Sequence, residues 1–205
     1  MSGNPFLTKS TLACELPPFE QIQESHYLEA VYAGMREQLA EIDAILANAE
    51  VTFENTVEAM ERSGAVLNRV LHVFYNKSSS DTNDQIDAIE AEIAPKLAAH
   101  SDAIQLNPEL FARIKRLREN VADLNDEQVW LVERYFRDFS QAGAELSEAK
   151  RERVKQINEE LSSLQTQFGK KLLADTNDLA VVVDSEIELD GLTPNQIAAC
   201  KAAAE

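Results

Sequence analysis

The side chains in this chain best able to hold a transition metal or act as nucleophiles are few. They are three histidines, His26, His72 and His100, and two cysteines, Cys14 and Cys200. A helical zinc site needs two histidines at i and i+4, so that both imidazoles reach one ion, with a glutamate after the first to activate the bound water. The residues four beyond the three histidines are Ala30, Asn76 and Ile104, and those directly after them are Tyr27, Val73 and Ser101. No such site is present. His26 reads as a first-turn residue that bonds locally or packs. His72, among Leu71, Val73 and Phe74, reads as partly buried and hydrogen-bonded, and His100, following Leu97, as a packed side chain. The cysteines lie near opposite ends, too far apart and too few for a disulfide framework, so both are expected as free thiols in a reducing compartment.

Other chemistries fare no better. There is no Gly-x-Ser-x-Gly elbow and no phosphate loop. Ser78, Ser79 and Ser80 look like turn residues. Glu90 and Glu92 cannot share a helix face. Glu148 and Glu152 can, but they suit a solvated helix start beside its positive dipole end. Trp130, Tyr135, Phe136 and Phe139 recur at helical spacing without interleaved basic residues, so they read as core and not as a stacking platform for bases. The expected sets of catalytic, cofactor-binding and metal-binding residues are therefore all empty.

Composition narrows the class. Lys and Arg total 19 against 36 Asp and Glu, a formal charge of −17. Such a surface repels phosphate backbones and anionic headgroups, which argues against nucleic acid and membrane partners. Apolar content is 44%, and a chain of 205 residues is long enough to bury a core without disulfides. Met1 to Lys9 lack a signal-peptide pattern, and no apolar run is long enough to span a bilayer. A cytoplasmic location follows as the expectation.

The elements expected to carry these residues are helices. Pro5, Pro17 and Pro18 keep residues 1–19 an extended arm. Tyr27, Leu28, Val31, Tyr32, Met35, Leu39, Ile42 and Ile45 mark a first helix from about Glu24 to Asn48. A second is expected from Asn55 as cap through Val57, Met60, Val66, Leu67, Val70 and Phe74, with Gly64 as a kink or close contact. The run from Ser78 to Asn83 reads as a turn. A third helix carries Ile86, Ile89, Ile93 and Leu97 and bends at Pro95. Asn107-Pro108 opens a fourth with Leu110, Phe111, Ile114 and Leu117. Asn125 and Gln128 form a capping box for a fifth that ends near Gly143. The sixth, Ser147 to about Ala174, carries a narrow seam of Val154, Ile157, Leu161, Leu164, Phe168 and Leu172 that predicts coiled-coil-like packing. Leu179 to Val183 reads as a strand or extended segment, with Ile187 and Leu189 as a hairpin partner. Thr193-Pro194 opens a last helix that reaches Glu205 without a stop signal, which points to truncation. The fold expected is a mainly α antiparallel bundle of six to seven helices with a short extended or hairpin segment near residues 179–189. Its divisions are an arm at 1–19, a bundle at 20–178 and the start of a following segment at 179–205.

Several strings carry a resemblance. They include Leu16-Pro17-Pro18-Phe19 with His26-Tyr27-Leu28, Phe53-Glu54-Asn55-Thr56 with Met60-Glu61-Arg62-Ser63-Gly64, and Asp81-Thr82-Asn83-Asp84 with Ala94-Pro95-Lys96-Leu97. They continue through Leu106 to Arg113, Arg137-Asp138-Phe139, Ala142-Gly143-Ala144, Ile157 to Leu161, Gln167-Phe168 and Asp175-Thr176-Asn177. In this order the chain resembles the amino-terminal region of the thimet oligopeptidase family of zinc metallopeptidases, most closely its bacterial peptidyl-dipeptidases. The resemblance implies a helical, non-catalytic lobe that forms part of a substrate-channel wall in a larger enzyme releasing carboxyl-terminal dipeptides from short peptides. It also implies that zinc is bound by the full-length parent and not by this segment, which is inactive alone. The partners implied are the catalytic half of the same polypeptide and, in the parent, short peptides, with self-association of the segment as a consequence of exposed apolar surface. The alternative is a stand-alone acidic helical interaction protein.

Overall fold

At Gly34 two helices meet backbone to backbone. The helices are α1 (Ser25–Leu46) and α3 (Ala65–Ser80). A Cβ at position 34 would lie 2.7 Å from the Leu67 nitrogen and 2.8 Å from its Cα, so only glycine permits this approach. The computed structural model describes residues 3–204, without the side chains of Asn177 and Glu186. The chain is 75% helical with no strand among the described residues, which makes it an all-α protein. Met1, Ser2 and Glu205, the last residue of the expected final helix, lie outside the described residues.

The chain divides into two units, Met1–Gln167 and Phe168–Glu205. In the first, Phe6, Tyr27, Val31, Val70, Phe74, Ile86 and Ile93 form one buried cluster between the arm, α1, α3 and α4 (Asp84–Gln105). The arm contains three short 3-10 turns, and its start is fastened: Asn4 Oδ1 accepts from Phe6 N, Asn4 Nδ2 donates to His26 O at 2.9 Å, and Arg69 donates to the carbonyls of Phe6 and Thr8. A second cluster gathers Ile42, Ile45, Met60, Leu110, Ile114 and Phe139 from α1, α2 (Ala59–Arg62), α5 (Pro108–Arg118) and α6 (Asp126–Ala142). Phe53, Val57, Leu117 and Val132 form a third.

The caps follow local chemistry. Asn83 accepts from Gln85 N and Ile86 N at the head of α4, Asn107 from Glu109 N and Leu110 N at the head of α5, and Asn125 with Gln128 closes the capping box of α6. Gly143, at φ +109°, ends α6.

Some expectations change. The single helix expected from Asn55 is broken: a π-turn at Glu54–Glu58 leads into α2, the chain turns at Ser63 and Gly64 (φ +72°), and α3 begins at Ala65. Asn55 lies inside the π-turn and is no helix cap; its Oδ1 accepts from Thr52 N at 3.0 Å. The turn expected at Ser78 starts later, because α3 runs through Ser80. Pro95 lies inside α4, as the sequence placed it. Trp130 is 61% exposed and does not belong to the core; the buried face of α6 is Val132 and Phe139.

α7 (Glu148–Asp178) begins in the first unit and ends in the second, and its Ile157, Leu161 and Leu164 are exposed. Beyond the half-buried Val154, the side chains of the coiled-coil-like seam, Ile157, Leu161, Leu164, Phe168 and Leu172, are exposed. In the second unit the Leu179–Val183 run forms no strand. Ile187 and Leu189 lie in a 3-10 turn, Glu186–Leu189, instead of a hairpin arm, and Val181 is 88% exposed. α8 (Pro194–Ala204) opens on a capping pair: Gln196 Oε1 accepts from Thr193 N at 2.8 Å, and Thr193 Oγ1 accepts from Gln196 N.

Candidate functional site

The three histidines sit in unrelated surroundings. His26 Nδ1 accepts from Gln23 N at 3.0 Å, closing the turn before α1. His72 is exposed on α3, against the expectation of partial burial, because its neighbours Val73 and Phe74 take the inward face. His100 is buried, and its Nε2 lies 2.7 Å from Gln38 Oε1. Gln38 Nε2 donates to Ser63 Oγ, so the amide oxygen faces the ring and Nε2 carries the proton. Nδ1 is then a buried acceptor without a partner. Burial lowers the His100 pKa and holds the ring neutral. Cys14 and Cys200 are exposed free thiols. Among the described residues no three His, Cys, Asp or Glu side chains come together to hold a metal ion.

The strings singled out in the sequence meet in space at structural joints. Arg113, at the end of the Leu106–Arg113 string, donates to the carbonyls of Asn48 (2.7 Å) and Glu50 (2.6 Å) and to Asn55 Oδ1 (3.3 Å). It thereby fastens the Phe53–Thr56 string to α5. Glu61, from the next string, accepts from Arg134 Nη2 at 2.6 Å and from Tyr135 Oη at 2.7 Å on α6. Burial, with the Glu61 hydrogen bond and charge, pushes the Tyr135 pKa up, so the phenol keeps its proton and acts as a donor.

A separate polar cavity of about 570 Å³ opens between the end of α4, the end of α6 and the first turns of α7. Asp102, Gln105, Ser140, Gln141, Glu145 and Asn158 line it together with apolar neighbours. Asp102 Oδ1 accepts from Asn158 Nδ2 at 2.7 Å, while Asp102 Oδ2 and Ser140 Oγ are buried without a partner. Burial raises the Asp102 pKa, and the Asn158 hydrogen bond and the Lys155 charge oppose that rise. Sequence reasoning missed Asp102, Gln38 and Gly34. None lies in a motif, and an aspartate on the polar-looking tail of a helix gives no local sign of burial.

None of these joints is a catalytic constellation, so comparison with known proteins carries the assignment. No family model matches the chain. Dipeptidyl carboxypeptidase of Escherichia coli (strain K12) is 37% identical over 204 residues, covering 98% of this chain and 30% of the relative. Together with the ordered strings, the match fits a peptidase of the thimet oligopeptidase family. Within that family, dipeptidyl carboxypeptidase of Salmonella typhimurium is also 37% identical, over 207 residues, covering 100% of the chain and 30% of the relative. Oligopeptidase A of Escherichia coli is 28% identical over 205 residues. The chain spans about 30% of the length of these curated relatives, a match that fits the amino-terminal part of a thimet oligopeptidase family peptidase.

Proposed function

We propose that this chain is the non-catalytic, amino-terminal helical part of a zinc metallopeptidase that releases dipeptides from the carboxyl end of short peptides, and that its helices form part of the substrate-channel wall. The observation that carries the reading is the whole-chain similarity to dipeptidyl carboxypeptidases at 37%, above the 28% to an oligopeptidase A, over 30% of the relatives' length. The donor set of this chain does not fit a zinc ion. His26 is engaged in a turn, His72 faces solvent, His100 is committed to Gln38, and no His-Glu-x-x-His occurs. The ion, its general base and most substrate contacts thus belong to another stretch of the same polypeptide, which is also this chain's main partner. The cytoplasm is the proposed location. No described helix is long and apolar enough to cross a membrane.

The test pairs zinc analysis with hydrolysis of a short peptide, on this chain alone and on the uninterrupted gene product. Zinc and dipeptide release are expected in the longer product only. Stoichiometric zinc and hydrolysis in this chain alone overturn the reading. A gene product that ends at Glu205 and is inert favours an acidic helical interaction protein.

A further inference from the structure

We propose that the cavity between α4, α6 and the first turns of α7 is a binding site for a primary ammonium group. Asp102 is only 7% exposed, yet one of its two oxygens has no partner. Ser140 Oγ, lining the same cavity, is likewise buried and unpartnered. Buried polar atoms in a folded protein are nearly always hydrogen-bonded, and leaving a carboxylate oxygen bare is among the costlier exceptions. Two such atoms, on residues that line one open space, point to a missing donor that is met once their side chains turn toward it.

The chemistry of the lining selects which donor. An anion is refused by Asp102 and by Glu145 at the rim. A transition metal lacks its ligands, since among the described residues no group of three His, Cys, Asp or Glu is present. A guanidinium is best held by both oxygens of one carboxylate, and Asp102 Oδ1 already serves Asn158. A primary ammonium has three diverging N–H donors and no acceptor. Asp102 Oδ2 from α4 and Ser140 Oγ from α6 offer two acceptors, and Gln105 and Gln141, which line the same space, carry amide oxygens for a third. Leu146 and Val154 line the cavity as apolar surface for an alkyl stem. Lys155 is close enough for its charge to act on Asp102, but its Nζ bonds Glu152 Oε1 at 2.6 Å. The ammonium has two sources: a lysine side chain from another stretch of polypeptide, or a free amine such as the amino group of a small solute. This inference stands on the cavity alone and does not depend on the function proposed above.

The experiment is an NMR titration of the labelled chain at neutral pH with butylammonium chloride, using sodium chloride as the ionic-strength control. Saturable shifts are expected at Ser140, Gly143 and Asn158, together with a fall in the Asp102 carboxyl pKa on saturation. Asp102→Asn keeps the oxygen that serves Asn158 and is expected to weaken binding about tenfold or more. Ser140→Ala removes no buried charge and is expected to weaken it by a smaller factor. Glycinamide, which carries an α-ammonium without a carboxylate, distinguishes the sources. Binding of both probes assigns free amines as ligands, and binding of butylammonium alone assigns a lysine-type side chain. Shifts no larger than those with sodium chloride, or an Asp102→Asn chain that titrates like the parent, overturn the proposal.

Discussion

Arg113 Nη2 donates to the carbonyl oxygen of Glu50 at 2.6 Å, across 63 residues of sequence. The same guanidinium reaches Asn48 O, Asn55 Oδ1 and Thr56 Oγ1, so one side chain holds the segment between α1 and the π-turn against α5. That segment has little regular structure, and its carbonyls would otherwise depend on water. Burial and the neighbouring Arg116 charge lower the Arg113 pKa, yet a guanidinium stays charged at any ordinary pH.

Replacing Arg113 is therefore expected to loosen residues 48–56 before anything else. Arg113→Met removes the donors while keeping an apolar stem, and a loss of about 2 kcal/mol in unfolding free energy is expected. Arg113→Lys recovers little of it, because one ammonium cannot span four acceptors set out for a planar fork. Urea denaturation gives the stability, and hydrogen exchange of the Val51 to Glu58 amides shows whether the loss is local.

Gly34→Ala is expected to cost about 3 kcal/mol, at the upper end for overpacking. The added methyl would meet the Leu67 nitrogen and Cα, which are backbone atoms and cannot rotate away. Trimming the side chain in Gly34→Ala/Leu67→Ala then gives no rescue. Thermal unfolding of the single and double variants checks this, and recovery in the double variant would show that the contact is made by side chains instead.

Legibility in the sequence tracked the range of the interaction. Caps are written in adjacent residues, and Asn107-Pro108, Asn125 with Gln128, and Thr193-Pro194 all start helices where expected. The ordered strings were enough to place the family, although their physical role emerges only when Arg113 and Glu61 are seen joining them. Long-range facts were not legible. Trp130 has the spacing of a core residue, but Val132 and Phe139 take the inward face of α6. The Leu161 and Leu164 seam says what α7 could bury without saying what lies opposite it. The Leu179–Val183 run has strand propensity with no strand edge to pair with among the described residues, and propensity yields to tertiary context.

His100 makes stability pH-dependent, with a definite sign. Burial lowers its pKa in the fold below that in the unfolded chain, so as pH falls the folded state takes up fewer protons than the unfolded one and loses stability relative to it. The contribution is intact above about pH 6.5, the unfolded imidazole value, and is lost progressively as pH drops from there toward the lowered folded pKa. Protonation would also place a second N–H at Nδ1, where the buried atom has no partner. His100→Gln keeps a donor for Gln38 and removes the titration. Unfolding midpoints measured from pH 8 to pH 5 are expected to fall less in this variant than in the parent; parallel curves would refute the assignment.

The bare seam of α7 predicts association. Ile157, Leu161 and Leu164 recur at steps of four and three, and each is 44% or more exposed. A contiguous apolar stripe on a helix is unstable in water unless something covers it. For this chain on its own, a second copy is the available cover, and the −17 formal charge opposes the approach of two copies. Raising the salt concentration screens that repulsion and is expected to strengthen association, the opposite of what a contact held by ion pairs would do. Sedimentation velocity at rising protein concentration is expected to show reversible dimers or larger species that grow with salt. Leu161→Glu/Leu164→Glu places two charges in the stripe and is expected to return the chain to monomer with little change in stability, since both side chains already face solvent. A parent chain that stays monomeric at high concentration and high salt would mean that the stripe is too narrow, or too well hydrated, to drive contact.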